Sequence, residues 1–291
     1  MKETRIPLTN KPYHKPSEMF LINAVLVLFV VIWILPTIGL LITSFRKPEA
    51  IVSSGWWMAF SRVNEFTLEN YRAVLLQGGV GRAFVNSLLI SIPSTILVII
   101  IAALAAFPLA FFKFPGRTFL FVLFVSLQVI PLQITLIPVM KMMSSLGISG
   151  TFPAIWMAHT AYGLPLAIYI FRNFFAGIPY AIIESAEVDG ATKFQIFSQL
   201  VIPISMPAVA SLGIFQFMWV WNDLLVALVF LGGTPEVAPL TVKIASMKGS
   251  LESGWHLMSA AAFVSMVIPL ILFLSFQKYF VEGLTAGAVK G

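Results

Sequence analysis

Two groups of polar side chains interrupt a chain that is otherwise almost without charge, and neither is arranged for catalysis. The first is a cluster of acids, Glu184, Glu187 and Asp189, closed by Gly190 and Lys193. The second is Gln216, Trp219, Asn222 and Asp223, set in an apolar stretch. No Ser/His/Asp set and no paired carboxylates suggest acid–base or nucleophilic work. No G-x-x-x-x-G-K-[ST] is present to cradle nucleotide phosphates. His14, His159 and His256 are far apart and there is no cysteine, so neither metal nor disulfide chemistry has ligands to draw on. What remains is recognition. Water-exposed acids can be gripped by another protein, and an indole beside amide and carboxylate groups offers an apolar face for C–H edges with polar groups for hydroxyls.

The elements that must carry these groups are membrane helices. The 291 residues are 59% hydrophobic and only 10% charged, too poor in charge for a soluble domain of this size. Cutting the chain at its charged residues leaves six long uncharged intervals, 19–45, 83–112, 118–140, 142–171, 194–222 and 253–277. Each exceeds the roughly 20 residues that a helix needs to cross a hydrocarbon core of about 30 Å. The expectation is therefore an all-α polytopic membrane protein with six transmembrane helices spread over residues 20–280. Net charge is +6, but the basic residues are scattered among loops without aromatic interleaving. That pattern suits lipid headgroups and excludes nucleic acid.

The acid cluster cannot lie in lipid, where one such residue costs roughly 2.5 to 3.5 kcal/mol on insertion scales. Pro179 suits the first turn of a helix near Tyr180–Asp189, Gly190 permits a turn, and a second helix near Ala191–Leu200 follows. The spacing predicts a helix–turn–helix elbow, outside the bilayer, between two spans. In the next span, at 100° per residue, Gln216, Trp219, Val220 and Asp223 fall within an arc of roughly 100° with Asn222 to one side. These residues either line a passage for substrate or, near the helix end, cap and pair locally. His159, Tyr162 and Tyr169 share a broad face of the span before the elbow, and His159 is expected to be a hydrogen-bonded packing residue.

Residues 1–19, with Lys2, Arg5, Lys11 and Lys15 among three prolines, read as a basic tail ahead of an uncleaved first span, and residues 281–291 as a second tail. The longest loop, about 43–82, has Trp56 and Trp57 suited to an interfacial belt. Its Phe66–Leu75 stretch has helical amphipathic spacing with Thr67 as an N-cap. Ser87, Ser91 and Ser94 form a stripe that lets helices approach closely. Prolines inside spans (Pro93, Pro108, Pro131, Pro138, Pro165, Pro269) free carbonyls that need neighbours or a wet cavity. Lys and Arg divide almost evenly between the two sides, so the charge rule leaves orientation open.

Glu184-Ser185-Ala186, Gly190, and after nine further residues Leu200-Val201-Ile202-Pro203 resemble the EAA–G–I–LP loop of permease subunits in ABC importers. Ser185 stands where that family usually has alanine, a small-for-small exchange. FTLENYRAVL at 66–75, NSLLIS at 86–91, the Ile178-Pro179 approach, Trp221-Asn222-Asp223 and GLTAGAVKG at 283–291 resemble the carbohydrate permeases of the maltose and α-glucoside type. The resemblance implies a type I ABC importer permease fold in a bacterial or archaeal plasma membrane, with both termini cytoplasmic and the loop at 173–204 on that side. It implies that Glu184, Ser185, Ala186, Asp189, Gly190, Lys193 and Pro203 couple to an ATPase. Two ATPase subunits, carrying ATP and Mg, would dock on residues 178–203 of this chain and of a second homologous permease, and an extracytoplasmic solute-binding protein would deliver sugar from the other side. No cofactor is expected in this chain. Gln216, Trp219, Asn222, Asp223, His159 and Tyr162 are the candidates for the substrate pathway. The same machine for a polyamine or peptide stays open, and further off a secondary transporter, for which Asp223 is a lone intramembrane acid.

Overall fold

The computed structural model describes residues 16–247 and 254–286, with side-chain surroundings for 18–247 and 254–276. The chain enters through α1 (Pro16–Ser44), which takes four residues from the expected N-terminal tail; the rest of that tail lies outside the described residues. There follow α2 (Pro48–Ser53), 3-10 turns at Trp56–Ser61 and Val63–Glu65, α3 (Glu69–Arg72) and a π-helical turn at Ala73–Gln77. Next come α4 (Val80–Phe111), α5 (Arg117–Leu127), α6 (Leu132–Ser145) and α7 (Phe152–Ala176). The elbow holds α8 (Tyr180–Val188), then α9 (Lys193–Gln195), a π-helical turn and α10 (Ile202–Ile204) in unbroken succession. The chain closes with α11 (Met206–Trp221), α12 (Leu225–Leu231), α13 (Leu240–Met247) and α14 (Trp255–Ala286). Helix α14 runs into the expected C-terminal tail, and residues 287–291 lie outside the described residues.

Four of these helices are long and apolar enough to span a membrane, and two more spans exist if each bent pair counts as one. Helices α5 and α6 meet at 100° next to Pro131, and α9–α10 meet α11 at 75° between Ser205 and Pro207. The expected continuous span 119–142 is thus interrupted, the bend at Ser205 falls where the expected span 205–231 begins, and that span is itself broken at 222–224. Proline removes a backbone donor and its ring clashes with the preceding turn, which accounts for the first two breaks.

Packing fixes the course of the chain between α4 and α7 independently. One core cluster joins Val98–Leu109 of α4 to Ala167–Phe175 of α7, and another joins Ile90 to Ala154–Ala158. The early parts of both helices meet, as do the late parts, so α4 and α7 run parallel and α5–α6 must carry the chain back between them. Ala102, Ala103, Ala106 and Ala167 are buried along this contact, where small side chains let backbones approach closely in lipid. The elbow therefore sits at the end shared by the C-termini of α4 and α7, and the 43–82 loop at the other.

That far loop is a clamped ledge in which the expected amphipathic helix is present over 69–77, starting later than Thr67 and partly π-helical. Thr67 does accept the Glu69 N–H at 3.1 Å, but α3 lasts four residues before turning π-helical. The clamp is Arg46, 1% exposed, which donates to Ala50 O (2.8 Å), Ser54 O (3.0 Å), Ser54 Oγ (2.6 Å) and Glu65 Oε2 (2.7 Å). Asn70 Nδ2 donates to Ser44 O and Arg46 O, tying α3 to the end of α1. The Arg46 hydrogen bond holds the Glu65 carboxyl below its ordinary value, with Arg62 adding to the effect and burial opposing it. A depressed carboxylate contributes stability that is complete above the ordinary carboxylate range and is lost as pH falls through the lowered value. Amide protection factors at 46–70 are accordingly expected to hold from neutral pH down to that range and to fall below it, and Glu65→Gln to flatten this acid dependence.

Candidate functional site

The elbow is folded by local chemistry. Pro179 is the N-cap of α8 rather than its first-turn residue, with its own carbonyl accepting from Ile182. Gly190 adopts φ +82°, the left-handed conformation open to glycine, and Ala191 N–H closes back on Ala186 O at 3.0 Å. Thr192 then starts α9 with a full capping box: Gln195 N–H donates to Thr192 Oγ1 and Thr192 N–H to Gln195 Oε1. The T-x-x-Q spacing is the local signal that starts this helix at Lys193, two residues after the expected start at Ala191. Lys193 and Glu187 pair across the turn, and Lys193 Nζ stands 5.5 Å from the Phe112 ring.

One side of this hairpin is fastened to the bundle. Ile183, Ile196 and Val201 are buried with Phe171 and Phe175, Ala186 packs against the same core, and Phe197 meets Phe107 at 5.3 Å. The other side is bare: Glu184, Ser185, Asp189 and Pro203 are exposed, and so are Val188 (83%) and Phe194 (70%). Acids around two exposed apolar side chains form a surface suited to a protein partner, and Val188 and Phe194 were not singled out from the sequence.

The second group is only partly assembled. His159 of α7 is fully buried, its ring edge-on to Trp219 at 5.6 Å between centroids, with Nε2 3.7 Å from Asp223 Oδ2. Gln216 is buried against Gly163, where a Cβ would stand 2.8 Å from its amide nitrogen. These four residues meet along the seam between α7 and α11. Tyr162 turns away and accepts from Thr135 of α6, and Asn222 donates to Met218 O at the end of α11 and faces outward. Asp223 has a structural task as well. Its carboxylate accepts the N–H groups of Val226 and Ala227, capping α12, and its carbonyl accepts from Thr241 of α13.

Both nitrogens of His159, Gln216 Nε2 and Thr160 Oγ1 are buried without a partner among the described residues, contrary to the expectation of a hydrogen-bonded histidine. Ser91, Ser94 and Thr95 of α4 are buried in the same condition, while Ser87 and Asn86 bond the segment leading into α13. A buried polar group left unpaired costs on the order of 1–3 kcal/mol, so the seam gains from any movement or ligand that supplies partners. Among the described residues, no group of His, Asp or Glu could hold a metal.

A bundle of interrupted apolar helices with a bare acidic hairpin at one end has the build of a membrane-embedded subunit that offers a partner a docking surface. Residues 83–285 match the family described as binding-protein-dependent transport system inner membrane component, and the chain belongs to that family. It is the permease subunit of a binding-protein-dependent ABC importer, multi-pass in the inner membrane and non-catalytic, and membership implies an ATPase and a binding protein as partners. The chain is 51% identical over 89% of its length, and 88% of the relative's, to the osmoprotective compounds uptake permease protein GgtD of Synechocystis sp.. It is 49% identical to the alpha-glucoside transport system permease protein AglG of Rhizobium meliloti, covering 78% of this chain and 61% of that one. A crystal structure of a bacterial ABC transporter that imports the acidic polysaccharide alginate has a chain with TM-score 0.78 and 22% identity, covering 93% of this chain and all of that one, a likeness of fold.

Proposed function

We propose that the chain is one half of the translocation pathway of a sugar importer for small α-glucoside-type carbohydrates, with the elbow at 178–203 as the seat of an ATPase subunit. A second homologous permease supplies the other half, and an extracytoplasmic binding protein delivers substrate on the side of the Arg46 ledge. The termini and the elbow are then cytoplasmic. The observation that carries this proposal is the hairpin's division into a fastened side (Ile183, Ile196, Val201) and a bare one (Glu184, Val188, Asp189, Phe194). Such a lever passes a push at its bare side into the ends of α4, α7 and α11, and thus fits alternating access driven by closure of an ATPase dimer.

Sugar as the cargo is supported by Trp219 beside His159, Gln216 and Asp223, and by the relatives named for α-glucosides and, at 32% identity, for melibiose, raffinose and stachyose import in Bacillus subtilis. Unpaired buried donors and acceptors suit hydroxyl-rich molecules, and a single seam acid suits polyamines poorly. Uptake of a labelled α-glucoside by vesicles carrying the whole importer is expected to require ATP and to vanish when the ATPase partner cannot hydrolyse it. Uptake that persists with a dead ATPase overturns the coupling, and ATP-driven uptake of polyamine or peptide in place of sugar overturns the cargo. The relative named for osmoprotective compounds favours a second reading, in which a compatible solute is carried, and the same assay with such solutes separates the two.

A further inference from the structure

The sequence placed Trp56 and Trp57 together in an interfacial belt, but the structure gives them different jobs. Both lie in the 3-10 turn Trp56–Ser61, where three residues make a turn and residues three apart stand on one edge. Trp56 and Ala59 share one edge. Ala59 is fully buried, and the Trp56 indole covers Gly39 of α1, where a Cβ would meet its Nε1 at 2.9 Å. Trp57 and Phe60 share the next edge and are 63% and 69% exposed.

Depth decides what that exposed edge meets. Gly39 lies five residues before the end of α1 at Ser44, about 7.5 Å back along the helix at 1.5 Å per residue. Counted from Phe20, where the uncharged run is under way, Gly39 falls at the far boundary of a roughly 30 Å core. At the same level α1 exposes Leu35 and Ile38, part of the long apolar surface it turns outward from Phe20 onward. The turn is thus folded back against α1 at the level where a roughly 30 Å core would end, with its Trp57 and Phe60 edge exposed. Arg62 follows the turn directly and is exposed, paired with Glu65 at 3.4 Å, so a basic side chain stands at the end of the aromatic edge. The Arg46 clamp holds the turn in this place.

We propose that the Trp56–Ser61 turn is a membrane-interface anchor whose Trp57 and Phe60 side chains enter the phospholipid boundary on the face opposite the elbow. It fixes the end of α1 at one depth, while α1 packs against α14 and the ledge. The absence of cysteine in the chain makes the test direct. Trp57→Cys and Phe60→Cys are spin-labelled one at a time in the assembled importer, its other subunits cysteine-free, in phospholipid nanodiscs. Collisional access to oxygen and to a water-soluble nickel chelate is then compared with Val31→Cys on the outer surface of α1 and Glu69→Cys on the ledge. The expected ratio of oxygen to nickel access is highest at Val31 in the core, intermediate at both turn positions, and lowest at Glu69. A ratio matching Glu69 overturns the anchor in favour of a water-facing turn. Loss of access to both reagents overturns it in favour of a partner subunit seated on the turn.

Discussion

Gly190→Val is expected to lower ATP-driven uptake roughly 5- to 30-fold while leaving the chain inserted in the membrane, and Gly190→Asn to keep most of the activity. The left-handed conformation costs an ordinary L-residue about 1–2 kcal/mol, and a factor of roughly 5 to 30 in population follows from that amount. Gly190 has φ +82°, and nothing lies within 4 Å of a side chain added there, so conformation rather than collision sets the penalty. Valine, β-branched, tolerates this region worst, whereas asparagine visits it readily. Strain at this point is relieved by straightening the hairpin, which moves Glu184, Val188 and Asp189 away from Lys193 and Phe194. Docking by a partner that reads both arms together is then lost. Co-purification of the ATPase with the permease, measured beside uptake, checks the cause. The two are expected to fall together in Gly190→Val and to return together in Gly190→Asn. Full assembly and full uptake in the valine variant would remove the elbow from the coupling role.

Much of this elbow was legible because its signals are local. Acids excluded from lipid, a glycine at a turn and a proline at a helix start each act within a few residues, and the hairpin at 180–204 has the predicted order, its first helix ending one residue early and its second starting two residues late and running four residues further. The all-α polytopic class was legible too, since hydrocarbon thickness sets span length whatever packs where, and six crossings follow only if each bent pair counts as one span. What sequence could not show depends on partners distant in the chain. Arg46 looked like one more loop cation, and only the fold brings Ala50, Ser54 and Glu65 around it. Tyr162 shares a helical face with His159, yet α6 claims its hydroxyl through Thr135. The break at 222–224 was hidden because both flanks are strongly apolar, and hydropathy does not register a change of helix axis. Trp221-Asn222-Asp223 contained its signal all the same: an Asx pair closing one helix and opening the next.

That break sets up the second large effect. Asp223→Ala removes the acceptor of the buried Val226 and Ala227 N–H groups, and each donor left unpaired costs on the order of 1–3 kcal/mol, so α12 is expected to loosen and the yield of assembled importer to drop. Asp223→Asn keeps an acceptor for the cap and is expected to restore the yield, which separates the structural task from any other. A hydrogen bond to a charged acceptor is worth about 1 kcal/mol more than one to a neutral acceptor, so a sugar hydroxyl held by the carboxylate predicts a roughly fivefold loss in uptake for the asparagine variant at normal yield. His159 provides the cross-check. With Nε2 3.7 Å from Oδ2 and no partner of its own, it is close enough to bond the carboxylate after a small shift of α7 against α11. His159→Leu is therefore expected to depress uptake without disturbing the cap, and the double variant His159→Leu, Asp223→Asn to lose less than the product of the two single losses, because both act on one contact. Multiplying losses instead would place the two residues in separate tasks. Native uptake in Asp223→Asn would leave Asp223 as the cap of α12 alone.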